Sequence, residues 1–315
     1  MNLKDFDYFM SSFLNNDIDE FRYLINQGMN LNCLNEDGES LISRIMHYKE
    51  TKKRRKFFNL LLKNNVSLKQ IGIEENLLNI SINRNEYYYI KKLLEYNINI
   101  NVSGKYKFAN WDDESRSDPA PIFTSIKNFN EPVINLLLKN NVDLDIETEN
   151  GDTILNYLVK RYFLYRKNKK LLPIFKKLIK HGANPDVIGK KGCRTIHILA
   201  ERKNTMNFFE ILYKNNCKIN INAKNSFGKT ALMLAIENDN FEISEFLIKK
   251  GANLFITNCC GNNTLHIIAD KINKTNKTKH KKLFKKISKS HPELLNVKNS
   301  NNKTPYNMLN TIIKY

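Results

Sequence analysis

The sequence predicts an all-α solenoid of tandem helix pairs, because one pattern recurs along the whole 315-residue chain. Residues 223–256 contain a loop, a short apolar helix, a tight turn, a second helix and a Gly-Ala-Asn stop. A similar segment begins at Gly189, roughly 35 residues upstream, and less well preserved copies occupy the rest of the chain. A period of this length indicates stacked units, each of which buries its apolar face only against its neighbours.

The second helix of each predicted repeat ends in apolar residues followed by a glycine or an asparagine. Both residue types tolerate the left-handed backbone that closes a helix, so this pattern predicts where each second helix stops. The predicted helix-closing residues are Gly28, Asn65, Asn97, Asn141, Gly182, Asn216 and Gly251.

The first helix of the better-preserved repeats follows a glycine and then a threonine. These entries begin at Gly151, Gly192, Gly228 and Gly261, and two of them continue to a histidine, His197 and His266. With the Gly-Ala-Asn stop, they resemble the ankyrin-repeat family, whose pattern is a Gly-x-Thr-Pro-Leu-His entry and a Gly-Ala-Asp/Asn exit. The resemblance implies an ankyrin-repeat solenoid of about eight helix-turn-helix units plus a C-terminal half-repeat. It also implies that the two histidines hydrogen-bond between neighbouring loops.

A single array over residues 1–315 is therefore expected. The predicted repeats cover residues 1–34, 35–70, 71–101, 117–147, 148–187, 188–223, 224–256 and 257–297, with the half-repeat at 298–315. Segments in excess of the repeat length are predicted insertions, at residues 47–56, 102–118, 160–170 and 271–286.

Three of these insertions are strongly basic and are expected to connect the first and second helices of their repeats. They would place positive charge along one edge of the stack, at Lys52, Lys53, Arg54, Arg55, Arg161 and Arg166. Tyr162 and Phe163 beside Arg161 would then stack on bases or cover a partner. In the alternative, the aromatic residues lengthen the core side of the first helix, and the charged segments are only solvated helix extensions.

Composition leaves two explanations for the net charge of +19. It indicates affinity for nucleic acid, or it reflects the Lys-, Asn- and Ile-rich usage of an AT-rich genome. Five cysteines without a C-x-x-C pair predict reduced thiols and a cytoplasmic location. The sequence shows neither a signal-peptide pattern nor an apolar run of about 20 residues, so a soluble protein is expected. Export to a host cell is compatible with these features.

Motifs for catalysis or for cofactors have better explanations within the repeat. Residues 223–230 (AKNSFGKT) fit a loose phosphate-loop pattern, but the repeat register predicts a turn at Gly228 and a helix cap at Thr230. Vicinal Cys259 and Cys260 lack a second Cys/His pair at ligand spacing, which argues against a metal site. With no hydrolase or paired-carboxylate motif, we expect no enzyme, metal or cofactor.

The predicted function is a non-catalytic scaffold that binds a protein partner in a concave groove made by loop tips and first helices. The expected contacts are Trp111, Lys190, Lys191, Lys224, Phe227 and Cys259. Trp111, in the insertion at residues 102–118, is either an exposed anchor or a staple for its own loop. The alternative function is binding of nucleic acid or acidic lipid through the basic insertions. We expect a monomer whose composition resembles host-directed repeat proteins of intracellular bacteria or large DNA viruses.

Overall fold

The computed structural model describes residues 3–69, 76–102, 120–164 and 170–309. The chain forms two compact units, residues 1–143 and 144–315, which we call the N-terminal unit and the C-terminal unit. The described residues form α-helices, short 3-10 helices and two isolated bridges but no β-strand, so the predicted all-α class is confirmed. No helix among these residues is long and apolar enough to cross a bilayer.

In the N-terminal unit the described helices form sequential pairs. They are α1 (Leu3–Leu14), α2 (Ile18–Asn26), α3 (Leu41–His47), α4 (Lys52–Lys63), α5 (Leu77–Asn83), α6 (Tyr87–Glu95), α7 (Pro121–Lys127) and α8 (Glu131–Lys139). Each odd-numbered helix packs on the even-numbered helix that follows it. The odd-numbered helices also pack on one another in chain order, which gives the layered contacts of a repeat stack.

The C-terminal unit repeats this arrangement. Its helices are α9 (Ile154–Leu164), α10 (Leu171–Lys180), α11 (Thr195–Ala200), α12 (Met206–Lys214), α13 (Ala231–Glu237), α14 (Phe241–Lys249), α15 (Thr264–Thr275), α16 (Thr278–Ser290) and α17 (Pro305–Met308). Helices α9, α11, α13, α15 and α17 pack on one another in that order. Each of the first four also packs on the helix that follows it. Two short 3-10 helices, Lys190–Gly192 and Pro292–Asn296, lie in the connections.

First and second helices differ in sequence because they differ in burial. Helix α13 (ALMLAIE) is apolar on all sides, and its residues 231–236 are buried between α11 and α15. Helix α14 is amphipathic: it buries Ile243 and Leu247 and exposes Glu242 and Glu245. An all-apolar helix needs neighbours on more than one side, whereas an amphipathic helix keeps one face in water.

The predicted ends of the second helices are confirmed at every position. All seven predicted helix-closing residues have a positive φ, between 51° at Asn216 and 94° at Gly182. At Gly251 the backbone N–H donates to the Ile248 carbonyl, and the next N–H donates to the Leu247 carbonyl, both at 3.0 Å. These bonds satisfy the last carbonyls of the helix.

Much of the described length of the basic insertions is helical, which favours the alternative that these charged segments extend helices. In the segment 271–286, α15 continues to Thr275 and α16 begins at Thr278, so only two residues connect the helices. In the segment 47–56, α4 already begins at Lys52, and in the segment 160–170, α9 continues to Leu164. Lysine and arginine are good helix formers, and apolar residues at helical spacing within these segments supply a face to bury.

Candidate protein-interaction surface

A narrow hairpin connects consecutive repeats of the C-terminal unit, and residues 225–229 show its geometry. The Asn225 N–H donates to the Lys229 carbonyl, and the Gly228 N–H donates to the Asn225 carbonyl, both at 2.9 Å. The Asn225 side-chain oxygen accepts from the backbone N–H groups of Phe227 and Lys229, both at 3.0 Å. Gly228 has a φ of +69°. The tip is thus held on both sides of Phe227.

The hairpin tips are joined to one another through their backbones. Four N–H groups donate to the tip of the preceding repeat at 2.5–3.2 Å: Lys190 to Gly151, Ser226 to Lys191, Cys259 to Phe227 and Ser300 to Cys260. We call this set, residues 148–152, 189–193, 225–229, 258–262 and 299–303, the tip ladder. A Cβ on Gly228 would lie 2.7 Å from the Cys259 nitrogen, so this close approach requires glycine.

In two repeats of the C-terminal unit, a buried histidine connects its own loop to the next loop. The His197 Nδ1 accepts from the Arg194 N–H, and its Nε2 lies 3.0 Å from the Ala223 carbonyl of the following loop. The His266 Nε2 lies 3.0 Å from the Lys303 carbonyl. Burial lowers the pKa of both histidines, which favours the neutral imidazole. The predicted hydrogen bonds between neighbouring loops are confirmed.

Asparagine and aspartate side chains add a third set of connections. The Asn222 side-chain oxygen accepts from the Asn253 N–H of the next repeat at 2.8 Å, and Asp186 accepts from the Asn220 N–H at 3.2 Å. In the following repeat the equivalent residue is Phe255, which is 44% exposed and lies edge-on to the His291 ring. This departure adds an apolar side chain where the neighbouring repeats use a hydrogen bond.

Residues of the phosphate-loop pattern, 223–230, form hydrogen bonds and an ion pair within the repeat. The Thr230 hydroxyl accepts from the Met233 N–H at the start of α13, so the predicted helix cap is confirmed. The Lys229 ammonium pairs with Glu237 at 2.7 Å, and the Gly228 N–H is bonded within the hairpin. The groups that would cradle a phosphate therefore already have protein partners.

Comparison with known families agrees with this geometry. Residues 163–258 match the family model for ankyrin repeats, in three copies. The matched segment includes the hairpins at residues 189–193 and 225–229 of the tip ladder and helices α10 to α14. Residues 163–258 are therefore ankyrin repeats. Ankyrin repeats are generally protein–protein interaction modules, and the family is typically non-catalytic.

Individual relatives also carry ankyrin repeats. The chain is 30% identical over 122 residues, 38% of its length and 37% of the relative's, to an ankyrin repeat protein of Rickettsia felis. It is 27% identical over 194 residues, 60% of its length and 40% of the relative's, to one of Fowlpox virus. A 52-residue stretch is 44% identical to part of one of Rickettsia bellii. The chain thus spans about two fifths of the length of the first two relatives.

Most residues expected to contact a partner lie on the tip ladder. Lys190, Lys191, Phe227 and Cys259 are exposed at hairpin tips, and Lys224 is exposed just before its hairpin. The Phe227 side chain is 54% exposed. Trp111 lies outside the described residues.

Ile188 and Cys260 are exposed beside or on the tip ladder but are not among the contacts expected from the sequence. Ile188, 57% exposed, directly precedes its hairpin and has the same repeat position as Lys224. Cys260 shares the tip with Cys259, and both thiols are free and exposed. Both residues can be identified in the sequence by aligning the hairpins on their glycines. No group of three or more potential metal ligands occurs among the described residues.

The structure corrects the assignment of Arg54 to an exposed basic surface. Its side chain is 1% exposed and forms an ion pair with Glu86 from the next repeat. Its Nε donates to the Tyr89 hydroxyl at 2.9 Å, and Nη1 donates to the Met46 carbonyl at 2.8 Å. The Arg54 guanidinium on α4 therefore binds groups of the protein itself, including Tyr89 on α6. Arg54 is a structural residue, because a buried charge requires such partners.

The other predicted basic residues of the first insertion are engaged to different degrees. The Lys53 ammonium donates to the Leu14 carbonyl at 2.9 Å and lies over the Phe13 ring. Arg55 pairs with Glu50, and its guanidinium lies 4.5 Å from the Tyr88 ring. Lys52 is exposed. This segment therefore presents much less unpaired charge than its sequence predicts.

In the second basic insertion, Lys160 and Arg161 also contact other residues of the protein. The Arg161 guanidinium lies 5.6 Å from the Tyr157 ring, and the adjacent Lys160 pairs with Asp152. Tyr162 packs edge-on against Phe208 of α12 at 5.0 Å. This contact favours the interpretation in which the aromatic residues lengthen the core side of the helix. Arg166 lies outside the described residues.

Proposed function

We propose that this protein is a non-catalytic interaction module that binds a protein partner along the tip ladder, with Phe227 as the central anchor. The sequence predicts that the partner binds in a groove formed by loop tips and first helices. In the first helix α13, however, residues 231–236 are buried. The exposed contacts therefore come mainly from the tips. The observation that carries the proposal is an exposed aromatic side chain on a backbone fixed from both sides.

The tip ladder supports tight binding because its backbone is already ordered. Phe227 lies between two inter-tip hydrogen bonds, those of Ser226 and Cys259, and within the hairpin closed by Asn225. A partner that covers this side chain does not have to pay for ordering the loop, and it removes a large aromatic surface from water. Aromatic residues, including phenylalanine, are enriched in the buried cores of protein interfaces.

Charge around Phe227 favours a partner with an acidic surface. Lys190, Lys191 and Lys224 are exposed on or beside the ladder. Such charges at the rim of an interface mainly accelerate association and align the partner, while a central apolar contact limits dissociation. We therefore propose a partner that combines an apolar pocket for Phe227 with acidic residues around it. The relatives from Rickettsia and Fowlpox virus support a host-directed role as part of this proposal.

Substituting Phe227 tests the proposed anchor. The wild-type chain, Phe227→Ala and the control Leu164→Ala are each used to enrich partners, and the dissociation constant of a recovered partner is then measured with purified proteins. Phe227→Ala should lose about 2 kcal/mol of binding, roughly thirtyfold in affinity, because it removes a buried aromatic contact. Its melting temperature should stay close to that of the wild type, because the ring is largely exposed in the free protein.

The control residue has the same apolar character at a different place. Leu164 is 74% exposed at the end of α9 and does not belong to the tip ladder. Leu164→Ala should therefore bind with wild-type affinity. Equal affinities of all three proteins for every recovered partner would remove Phe227 from the interface and refute the proposed site.

A further inference from the structure

Among the described residues of the three basic insertions, those of the third form a continuous positive face on helix α16. In helix α16 (TKHKKLFKKISKS), the side chains of Lys282, Lys285, Lys286 and Lys289 are all exposed, and the helix contains no acidic residue. Within the described residues, none of these four lysines forms an ion pair. We call them the α16 lysine face.

The lysines that precede α16 form ion pairs, which separates them from this face. Lys271 pairs with Asp239 at 2.9 Å, Lys277 pairs with the same carboxylate, and Lys274 pairs with Asp270 at 2.7 Å. Partial burial raises the pKa of Asp239, but the hydrogen bonds from Lys277 and Lys271 outweigh this effect and hold it at about 2. These contacts fix the start of α16 on the preceding repeat and leave the charge of the lysine face uncompensated.

The packing of α16 makes the lysine face rigid. Leu283, Phe284 and Ile287 on the opposite side of the helix are buried, and the helix packs on α15. The lysines recur on successive helical turns, about 5.4 Å apart along the axis. A duplex nucleic acid carries roughly one negative charge per 1.7 Å of its axis, so flexible ammonium groups at this spacing each find a phosphate.

From this charge and geometry we propose that the α16 lysine face binds the phosphate backbone of a duplex nucleic acid without sequence preference. Single-stranded nucleic acid is disfavoured because binding to it relies on aromatic stacking, and the exposed positions of α16 hold only lysine, threonine and serine. An acidic membrane is disfavoured because stable peripheral binding needs a second, usually apolar, signal. The apolar side chains of α16 are already buried in the protein.

The test measures the affinity of the full chain for a short random-sequence DNA duplex by fluorescence anisotropy, at salt concentrations from about 50 to 200 mM. The variant K282Q/K285Q/K286Q/K289Q should bind at least tenfold more weakly at the lowest salt. Its plot of log affinity against log salt should be shallower by about 0.9 for each lost phosphate contact. The variant with four Lys→Arg substitutions at the same positions should keep wild-type affinity, because arginine also binds phosphates.

A matched control separates the lysine face from the general positive charge. The variant K176Q/K180Q/K203Q/K249Q removes the same charge from exposed positions of the C-terminal unit and should bind like the wild type. If the quadruple α16 variant melts below the assay temperature, the pairs K282Q/K286Q and K285Q/K289Q are measured separately. Each pair should then remove about half of the effect.

Several results would overturn the proposal. One is equal weakening by the α16 variant and its control, and another is no binding of the wild type at about 50 mM salt. The third is tighter binding, through the same four lysines, to vesicles containing phosphatidylserine or to polyglutamate than to the duplex. The last outcome would assign the face to a membrane or to an acidic protein segment.

Discussion

Asparagine has a structural task at many turns of the described chain. Asn65, Asn97, Asn141 and Asn216 close second helices with a left-handed backbone. Others, such as Asn222, connect neighbouring loops through their side chains. Asparagine is the non-glycine residue best suited to both tasks, because it tolerates a positive φ and its amide bonds to nearby backbone. An AT-rich genome alone is therefore an incomplete explanation of its abundance.

The buried ion pair between Arg54 and Glu86 yields a prediction about stability. Glu86→Gln should lower the free energy of unfolding by about 3–5 kcal/mol, because it leaves the Arg54 charge buried without its counter-ion. Urea unfolding followed by circular dichroism measures the difference. Glu50→Gln is the control, because Glu50 pairs with the exposed Arg55, and it should cost less than about 1 kcal/mol. Equal losses would show that Arg54 does not depend on this pair.

Arg54 also illustrates a limit of prediction from sequence. Its neighbours Lys52, Lys53 and Arg55 are basic, so the local pattern indicates a solvated surface. The partners that bury it, Glu86 and Tyr89, lie more than thirty residues away in the next repeat. Only the packing of α4 against α6 brings them together. By contrast, the helix-closing glycines and asparagines act through their own backbone, and for this reason the sequence predicts them all.

At the scale of the element, the tip ladder explains why glycine recurs in the hairpins. Gly38 and Gly228 have similar φ values, +78° and +69°. A Cβ on Gly38 would meet nothing within 4 Å, whereas a Cβ on Gly228 would lie 2.7 Å from the Cys259 nitrogen. Comparing substitutions at the two glycines therefore separates the free-energy cost of the backbone conformation from the cost of breaking the ladder.

This pair gives the prediction for the element. Gly38→Ala should cost about 1–2 kcal/mol through its left-handed conformation. Gly228→Ala should cost about 1–3 kcal/mol more, because the added methyl group must displace the next tip. Urea unfolding measures the total cost, and hydrogen exchange of the Cys259 amide measures the local opening. Faster exchange is expected only in the Gly228 variant. Identical costs and unchanged exchange would contradict the ladder.

The lengths of the helices are the part of the fold that the repeat pattern predicts least well. Counting against a fixed period assigns residues 271–286 to an insertion between helices, yet most of them extend α15 and α16. Leu283, Phe284 and Ile287 have helical spacing and are buried. The local periodicity therefore favours the alternative of helix extensions, whereas the comparison with a consensus length indicates an insertion.

At the scale of the whole molecule, the net charge of +19 is distributed very unequally. The structure neutralises Arg54, Arg55 and Lys160 within ion pairs, whereas the α16 lysine face and the lysines beside Phe227 remain exposed. These two surfaces differ in character, since the tip ladder combines charge with the exposed aromatic residue Phe227 and the α16 lysine face does not. This difference is the reason for proposing protein binding at the ladder and phosphate binding at α16.

Site-specific photo-crosslinking in the full chain tests whether Phe227 on the tip ladder contacts a protein partner. A photoreactive phenylalanine analogue is placed at Phe227 or, as the control, at Leu164, and crosslinked proteins are identified after illumination in cells. We expect position 227 to capture a discrete protein partner that position 164 does not capture. Its yield should fall when Lys190 and Lys191 are both changed to glutamate. The same set of proteins at both positions, or no crosslink at position 227, would contradict the assignment of the tip ladder as the binding surface.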